Sequence, residues 1–185
     1  MNEPLSQWSA MNREQPKTSL ESAETTILYR PVGPKELELI AASGDRAYGE
    51  FSNFSAYPIQ LKGRRWPTSE HYFQAQKFAG TDHEEAVRLA KSPMVAARMG
   101  RSRERPLRSD WETSKDAIMR EALRAKFTQH PHLLSLLLST GDAELVEHTA
   151  NDNYWADGGD GSGKNRLGQL LMELRAVLRR ERTTH

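Results

Sequence analysis

Cysteine is missing from all 185 residues of the chain. Its absence excludes disulfides, cysteine nucleophiles and metal sites built on thiolates. A chain without cysteine is typical of a reducing compartment, where disulfides are rare. We therefore expect a cytoplasmic protein whose chemistry depends on other side chains.

Long apolar runs and an excess of one charge are missing as well. No run approaches the roughly 20 apolar residues that span a membrane, and the N-terminal segment lacks the apolar core of a secretory signal. Lys and Arg number 26 against 25 Asp and Glu, which gives a net charge of +1. The sequence thus predicts no membrane partner and no global field that would recruit nucleic acid.

Several common site signatures are incomplete. The histidines lack zinc-site spacing and HExxH does not occur, while serine hydrolysis lacks its G-x-S-x-G sequence. The segment GGDGSGKN has the spacing of a nucleotide-binding P-loop, but Asn165 stands where that loop needs Ser or Thr. The same segment lacks the alternating acidic residues and final Glu of a calcium loop. We predict no metal ion and no other cofactor.

What is present indicates one α+β domain, rich in helix, with a small β portion. We place the domain at residues 35–185, after a variable tail over 1–34. TTILYR and ELELIAAS have the composition of strands, and residues 58–66 that of a β-hairpin. AELVEHT fits either a strand or a helix extension.

Helix signals dominate the rest of the chain. Helices are predicted from about residue 67, over 81–90, 92–100 and 109–127, in HPHLLSLLLSTG, and after a cap at Asn165. Ser92 caps the third of these, and Gly100 is expected to end it. Ser109 and Glu112 have the spacing of a capping box at the start of the longest helix.

The first helix carries polar residues where an apolar stripe is expected. Glu70, Gln74 and Lys77 fall on one narrow strip, with Phe73 and Phe78 on its borders. An ordinary surface ion pair is one interpretation, because such pairs are common and contribute little. In the other, Glu70 in the first helical turn serves as a general base or stabilises positive charge on a sugar carbon.

A second candidate is the loop NDNYWADGGDGSGKN between two strong helices. Asp152, Asp157 and Asp160 lie beside Tyr154 and Trp155, a composition typical of a polar pocket with an aromatic platform. Its glycine amides, its lysine and the following helix N-terminus could hold a phosphate. A flexible connector is the alternative.

Several segments together resemble a known family. GEFSNFSAYPIQLKGRRWPTSEHYFQAQKF, SPMVAARMGR, LRAKF, LVEHT, ND-x-YW-x-DGG and GKNRLGQLLMELR occur in the order typical of the NADAR (YbiA-like) family. The similarity extends over about residues 37–179 and is greatest to the family's N-glycosidases of riboflavin-biosynthesis intermediates. Motifs in one order over this length are more specific than any one of them.

The resemblance implies an α+β enzyme that hydrolyses the N-glycosidic bond of phosphoribosylamino-pyrimidines and releases ribose 5-phosphate. Other family branches remove ADP-ribose from guanine in nucleic acid, so ADP-ribosylated nucleic acid is the alternative partner. A third possibility is a non-catalytic module that binds ADP-ribose or phosphosugars. Nothing in the sequence indicates the oligomeric state.

Nine residues make up the predicted site. We expect catalytic roles for Glu70, Asp152 and Lys77, and substrate binding by Trp111, Asn53, Trp155, Asp157, Lys164 and Arg166. Arg64 or Arg65 are alternatives for the phosphate. Lys77 could instead form a Schiff base with the opened sugar, or simply orient Glu70 through a salt bridge.

Overall fold

The computed structural model describes residues 25–30 and 48–184, in which six α-helices and four short strands confirm the α+β class. The elements are β1 (Thr26–Tyr29), β2 (Ile59–Leu61), β3 (Arg64–Trp66), α1 (Ser69–Ala75), α2 (Asp82–Arg88), α3 (Pro93–Arg101), α4 (Trp111–Gln129), α5 (Pro131–Ser139), β4 (Glu144–Glu147) and α6 (Arg166–Thr183). The strand predicted in ELELIAAS lies outside the described residues.

The predicted hairpin is confirmed. Strands β2 and β3 pair antiparallel, with Ile59 opposite Trp66. Lys62 and Gly63 between them have φ of 52° and 70°, the left-handed conformations that let a two-residue turn match the twist of its strands. Trp66 is fully buried at the end of the hairpin, and the chain enters α1 directly after it.

The second sheet joins β1, the first element of the described chain, to β4, which lies near its C-terminal side. β1 pairs parallel with β4, with Thr26 opposite Glu144 and Tyr29 opposite Glu147. This pairing confirms the strand in TTILYR and shows that AELVEHT contains a strand rather than a helix extension. Tyr29 is buried, with its ring edge-on to Phe51. The packed part of the chain therefore begins before residue 34.

Helix starts follow local capping signals in two cases and depart from them in a third. Thr68 and Ser92 cap α1 and α3 by accepting backbone hydrogen bonds, as predicted for Ser92 and allowed for Thr68. The capping box at Ser109 is wrong, because α4 begins only at Trp111, after Asp110. Asp110 instead accepts a hydrogen bond from the Ser114 hydroxyl.

Helix α1 lies in the middle of the molecule. Every residue from Ser69 to Ala75 is buried, and α2, α3, α4 and β3 all contact the helix. The predicted apolar side of α4 is confirmed, since Ile118, Ala122 and Ala125 are buried in the same core. None of the helices in the described ranges is both long and apolar enough to cross a membrane.

Candidate active site

Glu70 is held by backbone and side-chain contacts inside the core. It is only 6% exposed, its backbone N–H donates to the Asn53 carbonyl at 3.1 Å, and Gln74 Nε2 donates to its Oε1 at 2.7 Å. Burial raises the pKa of Glu70 to about 7, although the Gln74 hydrogen bond and the Lys77 charge oppose the shift. The surface ion pair interpretation is therefore wrong.

Lys77 lies further along the same strip, in the 3-10 turn Gln76–Phe78 that follows α1, and is also buried, at 8% exposure. Its Nζ donates to the Gly100 carbonyl at 3.1 Å and lies 5.3 Å from the Trp111 ring centroid. Burial lowers the pKa of Lys77 to about 8, partly offset by the Glu70 charge. Because Glu70 takes its side-chain hydrogen bond from Gln74, Lys77 acts on it through charge rather than direct contact.

Gly100 allows α3 to approach this strip closely. The prediction that it ends α3 is wrong, because the helix continues to Arg101. A Cβ atom at Gly100 would lie 1.9 Å from Gln74 Oε1, well inside van der Waals contact. The missing side chain therefore makes room for Gln74 and leaves the Gly100 carbonyl within reach of Lys77.

An aromatic row connects the strip to the glycine-rich loop. The Phe73 ring of α1 lies 5.1 Å from the Trp111 ring of α4 and 5.2 Å from the Trp155 ring of the loop. Trp111 is buried, whereas Trp155 is half-buried. Both predicted aromatic residues are therefore brought together, with the phenylalanine of α1 between them.

Asp152 faces the strip from the loop. Its Oδ1 accepts the backbone N–H groups of Tyr154 and Trp155 at 2.8 and 2.7 Å, which fixes the carboxylate in a tight turn. The charge of Asp152 contributes to the raised pKa of Glu70. The structure thus brings together the three predicted catalytic residues, which are Glu70, Lys77 and Asp152.

Asp157 organises the loop itself. It is 7% exposed and accepts hydrogen bonds from His148 Nδ1 at 2.7 Å and from the backbone N–H groups of Thr149 and Gly159. Burial acts to raise the pKa of Asp157, but the hydrogen bonds from His148 and Gly159 outweigh it and leave the pKa below its ordinary value. Both carboxylate oxygens are therefore engaged within the loop, and substrate contact by Asp157 stays a prediction.

Two buried acceptors near Glu70 have no hydrogen-bond partner among the described residues. They are Asn53 Oδ1 and Gln74 Oε1, and the Asn53 amide donates instead to Met119 Sδ at 3.1 Å. Buried polar atoms are nearly always paired, so unpaired acceptors are typical of functional sites. Hydroxyl groups of a sugar are donors that would suit them.

Arg166 and Lys164, the two basic residues predicted to bind the phosphate, have different surroundings. Arg166 Nε donates to Asp116 Oδ2 at 2.6 Å, and its Nη1 donates to Gln169 and Glu173. Lys164 is exposed, with Nζ 5.3 Å from the Tyr154 ring centroid. Arg166 is thus already neutralised by carboxylates, and the phosphate role of both residues stays a prediction.

Glu147 belongs to the same group of charges and was missed from the sequence. It ends β4 at 8% exposure. Burial raises the pKa of Glu147 to about 8, and the charges of Glu70 and Asp152 raise it further. Glu70 and Glu147 are both buried and of like charge when ionised, so near neutral pH they hold protons that ordinary carboxylates would have lost. The only sequence signal for Glu147 was its place in the family motif LVEHT.

Lys126 is the second missed residue. It is completely buried on α4, and its Nζ donates to the Ser52 carbonyl at 2.7 Å and to Ser55 Oγ at 2.6 Å. Burial lowers the pKa of Lys126 to about 7, while the Glu147 charge opposes the shift. These contacts hold the segment that carries Asn53 in place.

Known proteins are similar to this chain over most of its described length. The NADAR domain family matches residues 41–179. The protein named N-glycosidase YbiA from Escherichia coli (strain K12) is 64% identical over 131 residues, which is 71% of this chain and 82% of that protein. The "Riboflavin biosynthesis protein PYRR, chloroplastic" of Zea mays is 44% identical over 146 residues, but the match covers only 23% of it.

The structural comparison gives the same result. The NMR structure of the E. coli protein YbiA superposes with a TM-score of 0.73 at 51% identity, covering 89% of this chain and 94% of that one. The α+β fold expected from the resemblance is thereby confirmed. From its sequence and its fold together, the chain belongs to the NADAR domain family.

Proposed function

We propose that the protein is an N-glycosidase that hydrolyses phosphoribosylamino-pyrimidine intermediates of riboflavin biosynthesis and releases ribose 5-phosphate. The names of the E. coli and Zea mays relatives support the reaction and the pathway respectively. The observation that carries the proposal is the buried strip of Glu70 and Lys77, which shares its electrostatic environment with Asp152.

Each group has a task in this hydrolysis. As the bond from the sugar carbon to nitrogen breaks, positive charge develops on the sugar, and the carboxylates of Glu70 and Asp152 stabilise it. Glu70 takes a proton from the attacking water, whose oxygen bonds to the sugar carbon, and gives this proton to the departing nitrogen, which returns Glu70 to its carboxylate form. The unpaired acceptor of Asn53 accepts a hydrogen bond from a ribose hydroxyl.

The aromatic row and Lys77 complete the proposal. Trp155 is half-buried and offers a ring on which a pyrimidine can stack, while Trp111 and Phe73 support it from behind. The lowered pKa of Lys77 also suits a second route, in which the neutral amine attacks the opened sugar and forms a Schiff base. A borohydride-trapped adduct on Lys77 would identify that route.

Substitution of Glu70 tests the proposal. Glu70→Gln keeps the shape of the side chain, and we expect kcat for ribose 5-phosphate release to fall by about 10²- to 10⁴-fold. Glu181→Gln is the matched control, because Glu181 is an exposed glutamate of α6 paired with Arg124. Turnover by Glu70→Gln at the rate of the unmodified protein would remove Glu70 from the mechanism.

The same assay separates the alternatives. Preferential release from ADP-ribosylated guanine would replace the pyrimidine substrate by the nucleic-acid substrate. If calorimetry showed binding of ribose 5-phosphate or ADP-ribose but no substrate were hydrolysed, the protein would be a binding module and not an enzyme.

A further inference from the structure

Several arginines around the fold are already paired. Within the described ranges, Arg88, Arg108, Arg120, Arg124, Arg166 and Arg179 each form an ion pair with a carboxylate. Arg101 and Arg103 are exposed and make no ion pair with any described residue. A guanidinium without a carboxylate partner is available to an anion from outside the protein.

These two arginines lie next to the candidate active site. Arg101 directly follows Gly100, whose carbonyl accepts the Lys77 hydrogen bond at 3.1 Å. The close approach of Gly100 to Gln74 fixes the end of α3 against the strip. The charge of Arg101 acts on both Glu70 and Lys77, and that of Arg103 on Lys77. The pair therefore stands at the exposed edge of a buried site.

Arg103 is oriented by the backbone of the same turn. Its Nη1 donates to the Arg101 carbonyl at 2.9 Å and to the Ser102 carbonyl at 3.4 Å. Its remaining N–H groups make no hydrogen bond to other described residues. Two positive side chains are thus held on one short exposed segment, Arg101–Arg103, at the end of α3.

We propose that Arg101 and Arg103 bind the 5-phosphate of the substrate and make the enzyme specific for phosphorylated over unphosphorylated ribosides. The inference rests on the proposed function, because that function requires a phosphate on the sugar. A phosphate dianion matches the forked donors of guanidinium, and an unphosphorylated riboside leaves those donors without a partner. Arg166 is less suited to this task, since Asp116 and Glu173 already neutralise it.

Kinetics of arginine variants test the proposal. For Arg101→Gln and Arg103→Gln we expect KM for the phosphorylated substrate to rise roughly 10- to 100-fold with little change in kcat. For the dephosphorylated substrate, KM should not change, and the small change in kcat caused by the lost charge near Glu70 and Lys77 should be the same as for the phosphorylated substrate. Arg105→Gln is the matched control, because Arg105 is an exposed arginine of the same connector without an ion pair to described residues. We expect it to leave both substrates unaffected.

Three results would overturn the inference. They are an equal loss with both substrates, an equal effect of Arg105→Gln, or a larger rise in KM for Lys164→Gln than for the arginine variants. The last result would place the phosphate at the glycine-rich loop.

Binding measurements distinguish this inference from the proposed function. Calorimetry with ribose 5-phosphate and with ribose requires no turnover, and we expect the double variant Arg101→Gln/Arg103→Gln to lose its preference for the phosphorylated sugar. If the unmodified protein shows this preference but hydrolyses nothing, the proposed function fails and the phosphate site stands. If it hydrolyses the substrate but the double variant retains the preference, only the phosphate site fails.

Discussion

Glu70 is only 6% exposed, although the ionised form of a carboxyl group is stabilised by hydration. Burial raises its pKa from an ordinary value of 4.5 to about 7. The folded state therefore binds this proton more tightly than the unfolded state does. The resulting contribution to stability is complete below about pH 4.5 and is lost as the pH rises through about 7.

The raised pKa of Glu70 predicts that Glu70→Gln, the variant expected to lose activity, is more stable than the unmodified protein at high pH. At pH 8.5, Glu70→Gln should increase the free energy of unfolding by about 3 kcal/mol, because the buried negative charge is gone. At pH 4, where the glutamate is protonated in both states, the difference should vanish. Urea denaturation at the two pH values measures it, with Glu181→Gln as the exposed control. The same difference at both pH values would contradict the assigned cause.

Sequence spacing located Glu70 and Lys77 because Glu70 lies on α1 and Lys77 on the 3-10 turn Gln76–Phe78 that continues it. It did not locate Glu147, since the neighbours that bury and charge this residue are far away in the chain. Arg101 and Arg103 were missed for the opposite reason. Their segment is polar and exposed, as expected of a connector, and only its contact with α1 gives it significance.

The junction between β4 and α6 depends on Asn165. The sequence places this residue correctly just before α6, but the predicted role of its side chain as a helix cap is wrong. Asn165 precedes α6 with φ of 47°, and its side chain does not cap the helix. Instead its Oδ1 accepts the Glu147 N–H at 3.0 Å, and its Nδ2 donates to the Leu145 carbonyl at 2.8 Å. The asparagine thus pairs with β4 as a neighbouring strand would.

Two substitutions at this position separate the hydrogen bonds from the backbone conformation. Asn165→Gly keeps the positive φ accessible and should cost about 2 kcal/mol of unfolding free energy for the two lost hydrogen bonds. Asn165→Ala should cost about 1 kcal/mol more, because alanine disfavours the left-handed region. Urea denaturation at one pH provides the measurement. An alanine variant as stable as the glycine variant would show that φ plays no part.

Element boundaries were predictable where the signal is local. The Lys62-Gly63 turn and the cap at Ser92 were correct because each involves residues within a few positions of one another. The end of α3 was not, since Gly100 serves the approach of Gln74 from another helix. The start of α4 also differed, because Asp110 binds both Ser114 and Arg108 and displaces the expected capping box.

In the molecule as a whole, β1 connects the N-terminal side of the described chain to β4, the strand that carries Glu147. It precedes both the similar region that starts near residue 37 and the family match that starts at residue 41. Its partner β4 is 118 residues away, and no local pattern in a four-residue strand reveals such a partner. The class of the fold was therefore predictable, whereas this pairing was not.

Deleting β1 should weaken the entire protein. A chain lacking residues 1–30 loses the buried Tyr29 ring and the pairing of β4. We expect its free energy of unfolding to drop by about 3–5 kcal/mol, as for removal of a large buried aromatic side chain. A chain lacking only residues 1–24 retains β1 and is the matched control. Thermal and urea unfolding of both would decide, and equal stability would show that β1 contributes nothing.

The parallel pair of β1 and β4 also determines when the carboxyl cluster can exist during synthesis. Thr26 and Glu144 are 118 positions apart, so β1 leaves the ribosome long before its partner has been translated. Closing so large a loop is costly in chain entropy, which favours earlier formation of the intervening helices. A nascent chain therefore cannot bring Glu147 or Asp152 to Glu70 until translation has passed residue 152, and the proposed hydrolysis cannot begin before that point.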